Sequence, residues 1–545
     1  MQIGWIFLCL TVCFMALILL SGHTVLILEW EMLEIFTSSF SLCVVMDIFS
    51  MALLATVSII FTSVYFFTLA YLEEEVYLWR FLWILSFFVA SMFFLVLGGN
   101  LFTSLIGWDG LGITSTFLIM FYSSFSAMKA SILTFSINRL GDCFFILSIV
   151  NLSTISLMSD VCWSMSSTVS FMVVVLCITK SAQVPFSSWL PEAMEAPTPV
   201  SALVHSSTLV TAGIYLLLRY ETLWSSPSLL STLFFLSTVT FFLASMAGVV
   251  ENDLKKIIAL STLSQLGFIM CSVSLGLGVQ GFFHLIAHAY FKALMFMAAG
   301  HIIHHSSSWQ DIRLISLSPS SSPVVTKLFL GASWALCGLP FMAGFFSKDA
   351  ILDNFYSSNY SEVTLIMLLC SMLGTMFYTA RLTWFLNISP SASLPIQTHL
   401  TLLEKSMVCL FLMACVVGAS YKWSYEDLNP SVFLDSEKYP LVISLLVSAY
   451  FSSHMSSLME GDYASSKWHL ASFTTLLSSF SFRKSSSLVW MADLAGKFGW
   501  ALQLIANTLK IQATSSMEGM KVLAFSKYYL VYFSVLSLVT LCIMV

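Results

Sequence analysis

Two lysines, a row of histidines and several carboxylates stand inside apolar stretches of this chain. Lys180 ends one such stretch at Lys180-Ser-Ala-Gln-Val-Pro185, and Lys348 follows Gly338-Leu-Pro340 and Gly344, with Asp349 beside it. His284, His288 and Lys292 step by four residues, so they stack along one helix face. His205 follows Pro197 and Pro199, Asp109 carries the one charge between Leu101 and Tyr122, and Arg139 and Asp142 share the next stretch. Proton transfer is the chemistry such groups can do. A buried lysine loses much of its preference for the charged form, and a nearby carboxylate restores it. Moving the carboxylate therefore switches the lysine between holding and releasing a proton.

Plainer readings compete at several positions. Arg139 and Asp142 are three apart, which suits a structural intrahelical pair as well as a functional one. His284-x-x-x-His288 has metal-ligand spacing, but no glutamate follows His284, so a zinc peptidase is disfavoured. The twelve cysteines are scattered with no Cys-x-x-Cys, and read as small buried hydrophobes. Glu192 and Glu195 sit at a span edge beside a re-entrant turn at Trp189-Leu190-Pro191, and His301, His304 and His305 at a helix end, where contact with water is expected. No metal or cofactor framework and no phosphate loop is evident.

The elements that hold these groups must lie in lipid. Only 9% of the 545 residues are charged, 58% are hydrophobic and the mean hydropathy is +0.91, whereas a soluble domain carries about 25% charge. Continuous apolar runs rather than alternating ten-residue segments predict helices and exclude a barrel. The expected fold is an all-α membrane protein of about fifteen spans, near 3–20, 47–71, 80–98, 100–121, 130–157, 166–184, 199–219, 229–249, 255–274, 279–303, 325–350, 363–388, 405–420, 441–458 and 526–544. The 24–46 stretch, around Glu29, Glu31 and Glu34, reads as a surface hairpin. Loop charges separate: Arg80, Lys129, Lys255, Lys256, Arg313, Lys327, Lys405, Lys467, Arg483 and Lys484 fall on one side, and Arg219, Lys422 and Lys438 on the other. The first group marks the cytoplasm-like side.

Residues 485–524 break this rhythm. Met491, Leu494, Phe498, Leu502, Ile505 and Leu509 recur at helical steps among polar residues, giving an amphipathic helix too polar to span. It reads either as a surface helix with a loop or as a lateral brace held by the last span. Lys180 and Lys348 each stand beside a proline-interrupted helix, Pro185 and Pro340, in corresponding halves. Paired broken helices point to an inverted-repeat transporter, in which freed carbonyls at the break can stabilise an ammonium.

Several motifs carry a resemblance. Gly107-Trp-Asp-Gly-Leu-Gly112, Asn138-Arg-Leu-Gly-Asp142, Lys180 to Pro185, Ala196 to Thr208, Asn252-Asp-Leu-Lys-Lys-Ile257, His284 to Ala293 and Gly344-Phe-Phe-Ser-Lys-Asp349 resemble the antiporter-like subunits of proton-pumping NADH:ubiquinone oxidoreductase, respiratory complex I. The resemblance runs from about 40 to 385, and Lys348, where subunit 4 typically carries glutamate, favours the subunit 5 branch. It implies a proton channel of two inverted five-helix repeats, over 80–220 and 221–390. A further region spans 391–484, the lateral helix 485–524, and a final anchor 525–545. It further implies that Asp109 pairs with Lys180, that His205, His284, His288 and Lys292 form a central axis, and that Lys348 serves the second broken helix. Asp142 and Lys256 match further charged positions, with Arg139 and Asp349 in support. Many members have glutamate where Asp109 stands, and the 1–79 region looks one helix shorter than is typical.

The implied function is a membrane-arm subunit of complex I that translocates protons while other subunits oxidise NADH and reduce ubiquinone. FMN, iron–sulfur clusters and ubiquinone would sit in those other subunits, with none in this chain. Expected partners are antiporter-like subunits 4 and 2 along the lateral helix, accessory subunits and lipids such as cardiolipin, with no nucleic acid. The implied location is the mitochondrial inner membrane, with the lateral helix on the matrix side. The alternative is a subunit of a stand-alone multisubunit cation/proton antiporter.

Overall fold

The computed structural model describes residues 25–35, 38–154, 167–306, 309–313, 315, 323–339, 342–357, 362–388 and 402–425, and scattered positions between 4 and 13. The chain divides into two units, 1–474 and 475–545, and all described residues belong to the first. The expected spans at 441–458 and 526–544, the lateral helix, Pro340 and most of 3–20 lie outside the described residues.

An antiparallel hairpin comes first, β1 (Leu26–Ile35) paired with β2 (Ser38–Met46), with a register irregularity between Glu31 and Leu33. Helices follow: α1 (Ile48–Tyr71), α2 (Leu78–Leu97), α3 (Leu101–Ile119), α4 (Phe125–Thr154) and α5 (Ser167–Lys180). Then come a short α6 (Trp189–Glu192), a 3-10 turn (Ala193–Glu195), α7 (Thr198–Leu203), a π-helical turn (Val204–Thr208), α8 (Leu209–Arg219) and α9 (Glu221–Trp224). The remainder is α10 (Pro227–Val250), α11 (Leu254–Ser274), α12 (Gly278–His305), α13 (Pro323–Cys337), α14 (Ala343–Ser357), α15 (Glu362–Ile388) and α16 (Leu402–Tyr425).

Local sequence explains the boundaries. Asp47 caps α1, accepting from Ser50 N–H at 2.9 Å while Ser50 Oγ accepts from the Asp47 amide at 2.9 Å. Pro199 and Pro227 occupy first turns, where no donor is lost. Inside the apolar helices, hydroxyls return to their own backbone: Thr56 donates to Leu53 O at 2.8 Å and Ser63 to Ile60 O at 2.7 Å. A serine or threonine in lipid is thereby satisfied without a partner helix.

Eight of the described helical segments are long and apolar enough to cross a membrane: Ile48–Tyr71, Leu78–Leu97, Phe125–Asn151, Thr198–Arg219, Pro227–Val250, Leu254–Ser274, Gly278–His305 and Val363–Phe385. The protein is thus a multi-pass helical membrane protein. α3 and α16 lie where spans at 100–121 and 405–420 were expected. Two expectations need correction. The 166–184 span stops at Lys180, because the chain turns at Ser181 and passes through Ala182 at φ 54°. The 325–350 span is two helices, α13 and α14, because Gly338 at φ +82° ends the first.

α12 is the central element, packed against α1, α7, the π turn, α8, α11, α13, α14 and α16. Lipid offers no hydrophobic force between helices, so close backbone approach matters. At Gly107 of α3, a β-carbon would lie 2.4 Å from the Leu95 amide nitrogen of α2, so these helices cross on backbone. The hairpin sits at one end: Thr103 Oγ1 donates to Cys43 O at 3.2 Å, Asn100 Nδ2 to Ser41 Oγ at 3.2 Å, and Arg219 pairs with Asp47. The structure thus contains the hairpin predicted for 24–46.

Candidate functional site

Four charged residues gather where α3, α4 and α5 meet. Lys180 is fully buried and donates from Nζ to the backbone carbonyl of Trp108 at 3.1 Å, with the ammonium 4.7 Å from that residue's ring centre. Gly112 lies beside it, where a β-carbon would stand at an ordinary 3.6 Å from Nζ. Trp108 Nε1 donates to Asp142 Oδ1 at 2.8 Å. Arg139 donates to Asp142 Oδ2 at 3.0 Å and to Asp109 Oδ1 at 3.3 Å.

The pairing therefore differs from that expected. Arg139, not Lys180, is bonded to Asp109, whose side chain remains 39% exposed. Asp142, at 9%, is the more enclosed carboxylate, and both carboxylates lie within electrostatic reach of Lys180. The Arg139–Asp142 pair is intrahelical, as the plainer reading held, yet it also ties α4 to Asp109 on α3. Lys180 also takes a carbonyl on a neighbouring helix rather than one at its own break.

The second group surrounds α12. Lys348 follows the α13–α14 break and donates to Leu336 O at 2.5 Å, one of the carbonyls left open where α13 ends. Here the expected use of freed carbonyls is met. Gly344 permits it, since a β-carbon there would fall 1.9 Å from Ala335 O. His284 is fully buried, with Nδ1 2.8 Å from Ser347 Oγ and Nε2 3.2 Å from Gln265 Oε1. The ring thus bridges Ser347 on α14 and Gln265 on α11 through its two nitrogens. His288, one turn on, has no hydrogen-bond partner among the described residues and packs edge-on to Phe291 at 5.5 Å. Lys292 donates to Ser261 Oγ.

His205 belongs to neither group. It is buried on the π turn, with its ring 6.2 Å from that of Trp189 and the Ala193 backbone beside it. Trp189 Nε1 donates to Thr179 O at 3.1 Å, fastening the re-entrant stretch to the end of α5. Within that stretch lies Pro185, preceded by a cis bond, and Gln183 Oε1 accepts from Thr240 of α10 at 2.5 Å.

Other expectations shift. Lys256 forms a half-exposed pair with Asp253 at 2.8 Å, while its neighbour Lys255 is the buried one, donating to Ala196 O at 3.2 Å. Adjacent helix positions differ by about 100°, and two lysines in a row do not reveal which faces inward. His301, expected in water, is 1% exposed, whereas His304 and His305 are exposed. Asp349 follows Lys348 on α14 and is half-buried. Trp108, Gln265, Ser347 and Ser261 were not singled out by sequence. Trp108 and Ser347 had a signal, each lying inside a motif that carries the resemblance.

Comparisons with known proteins agree with this architecture. Residues 98–377 match the family model described as NADH:quinone oxidoreductase/Mrp antiporter, TM. NADH-ubiquinone oxidoreductase chain 5 of Anopheles gambiae is 35% identical over 87% of this chain and 83% of its own. Its counterpart from Mytilus edulis is 39% identical over 83% of each chain. Among solved structures, a chain of the Mrp complex from a Dietzia species superposes with a TM-score of 0.70 at 20% identity, covering 98% of this chain and 60% of its own. A chain of an archaeal membrane-bound sulfane sulfur reductase gives 0.67 at 17% identity, over 83% of this chain and 92% of its own. Both show the fold alone. With the broken helices, the buried lysines and relatives matched over most of their length, the chain belongs to the NADH-ubiquinone oxidoreductase chain 5 family.

Proposed function

We propose that this chain is a proton-translocating subunit in the membrane arm of an NADH:ubiquinone reductase, with the redox chemistry carried out in other subunits. Family membership supports the enzyme assignment. The observation that carries the mechanism is the state of Lys180. It is fully buried and held by a carbonyl and a ring face, and no carboxylate bonds directly to it among the described residues. Asp142 and Asp109 are the carboxylates that act on it electrostatically. Such an ammonium gives up its proton more readily than a paired one. A change in the Arg139–Asp109–Asp142 arrangement would therefore set whether Lys180 holds or releases.

The proton relay in this reading comprises Asp109, Lys180, His205, His284, His288, Lys292 and Lys348, supported by Arg139, Asp142 and Asp349. The half-exposed pair that Lys256 forms with Asp253 gives it no evident place on the route. FMN, iron–sulfur clusters and ubiquinone belong to other subunits. Two inverted five-helix repeats, a lateral helix over 485–524 on the matrix side of the mitochondrial inner membrane, and contacts with subunits 4 and 2 and with cardiolipin complete the proposal.

The test is proton yield per NADH oxidised in the assembled complex in sealed vesicles. Lys180→Ala and Lys348→Ala are each expected to lower that yield well below the unmodified value. Normal yield in either would remove that lysine from the route, and normal yield in Lys180→Ala would sink the mechanism. A stand-alone antiporter subunit is the second reading, because the matching family model is described for NADH:quinone oxidoreductase and Mrp antiporter alike. Co-purification with flavin and iron–sulfur subunits would exclude it, and isolation as a Na⁺-exchanging complex without them would establish it.

A further inference from the structure

We infer that Trp108 is a positioning residue that holds the Lys180 ammonium and the Asp142 carboxylate apart, and that release of its indole N–H from Asp142 lets the two pair. The inference rests on the proposed role of Lys180 in proton transfer. Trp108 touches both charges, by different atoms. Its indole N–H donates to Asp142 Oδ1 at 2.8 Å, while its backbone carbonyl and ring face hold Lys180 at 3.1 and 4.7 Å. Arg139 takes the other oxygen of Asp142 at 3.0 Å, so both carboxylate oxygens are engaged by donors other than Lys180.

The residue is held firmly enough for this work. It is fully buried, stacked on Phe145 with ring centres 5.5 Å apart and planes at 26°. One position earlier, Gly107 crosses the α2 backbone with no room for even a β-carbon. An indole N–H to a carboxylate is a charge-assisted bond, and a cation over an indole face gains most where water is excluded. Neither contact is lost cheaply.

The other charges acting on this pair are Asp109 from α3 and Arg139 from α4. Cys143 adjoins Asp142 on α4. Among the charged residues on elements that pack against α4 and α5, Glu195 accepts from Ser126 at 3.1 Å, and Arg219 is committed to Asp47. Glu192 and Glu221 lie on the short helices α6 and α9, and neither is among the groups acting on the pair.

Trp108→Phe separates the two functions of this side chain. It keeps the carbonyl and an aromatic face for Lys180 and deletes only the N–H. A buried carboxylate oxygen left without a donor is costly, and Lys180 is the nearby cation that can fill it. The paired ammonium then holds its proton more tightly. Proton translocation driven by NADH should therefore lose its alkaline limb about one pH unit higher, corresponding to a tenfold change in proton affinity. Its yield per NADH at neutral pH should fall.

Trp108→Leu also deletes the donor and is expected to shift the limb in the same direction, so the test does not depend on assembly of one variant. Trp108→His keeps a ring N–H and should leave the limb nearer its original position. In an Asp142→Asn background the Trp108→Phe shift should vanish, because no charge remains to capture Lys180. An unmoved limb in both donor-deleted variants, or a shift that persists with Asp142→Asn, would overturn the inference. Lys180→Ala, assayed alongside, separates the two claims. If it abolishes translocation while Trp108→Phe leaves the limb unmoved, the inference alone fails. If it translocates normally, the proposed function and the inference fail together.

Discussion

Gly107→Ala tests whether the backbone crossing of α2 and α3 sets the geometry around Lys180. A β-carbon at Gly107 would lie 2.4 Å from Leu95 N and 2.7 Å from Leu95 Cα and Cβ. Carbon contacts relax only near about 3.5 Å, so the helices must separate by roughly 1 Å. Two of these atoms are backbone and cannot rotate aside. Overpacking of this kind costs about 1–3 kcal/mol, against the ~1 kcal/mol that alanine gains over glycine inside a helix. The displacement falls on the next residues, Trp108 and Asp109. A bond of 3.1 Å from Lys180 to the Trp108 carbonyl would stretch toward ~4 Å, beyond hydrogen-bonding range. The expected result is an assembled complex with a lower Tm and a several-fold smaller proton yield per NADH in sealed vesicles. Gly112→Ala is the control, because its β-carbon meets Lys180 Nζ at an ordinary 3.6 Å and leaves the crossing alone. Unchanged stability and yield in Gly107→Ala would refute the argument.

Four further outcomes are expected. Arg139→Gln takes the cation from the buried Asp142 carboxylate as well as from the partly exposed Asp109, so it should lower stability by about 1–3 kcal/mol and reduce proton yield; an unchanged yield would make the network purely structural. Ser347→Ala strands one nitrogen of a buried histidine, a cost of about 1–3 kcal/mol, visible as a lower Tm; no change would mean that Ser347 does not hold His284. Arg219→Met removes the tie between α8 and Asp47, so proteases should cut within 25–46 faster than in the parent, and equal cutting rates would show that other contacts suffice. Burial, then Glu29, pushes the Cys43 thiol up from its ordinary value. Its alkylation therefore begins at higher pH than for a free thiol, and Glu29→Gln should move that onset down; an unmoved onset would exclude the carboxylate as a cause.

Much of the architecture was legible because lipid imposes simple rules. Helices such as α1, α10, α11 and α12 follow from apolar length alone, and their boundaries fall within a few residues of the expected ones. The hairpin at 24–46 followed from alternation. Breaks were harder to place: Pro340 announced an interruption, but the helix already ends at Gly338, where a positive φ rather than the proline sets the boundary. Partnership was the least legible property. Asp109 and Lys180 had the right types and depth, but which cation faces which carboxylate depends on helix rotation, and rotation brought Arg139 to Asp109. The same limit hid Lys255 behind Lys256. Trp108 escaped notice as an aromatic in an apolar run, where its indole N–H carries no hint of a carboxylate across the gap.

One contrast between elements has a mechanical consequence. The helices that carry Lys180 and Lys348 are interrupted, whereas α12, with His284, His288 and Lys292, runs unbroken for 28 residues. At 1.5 Å per residue it is a rod of about 42 Å. A rod transmits rotation as a lever does: tilting it by ~5° about its middle displaces each end by about 2 Å, in opposite directions. The two interrupted helices can absorb motion at their joints, but α12 cannot. A push at its Gly278 end would therefore be passed, reversed, to His301 and His305 at the other.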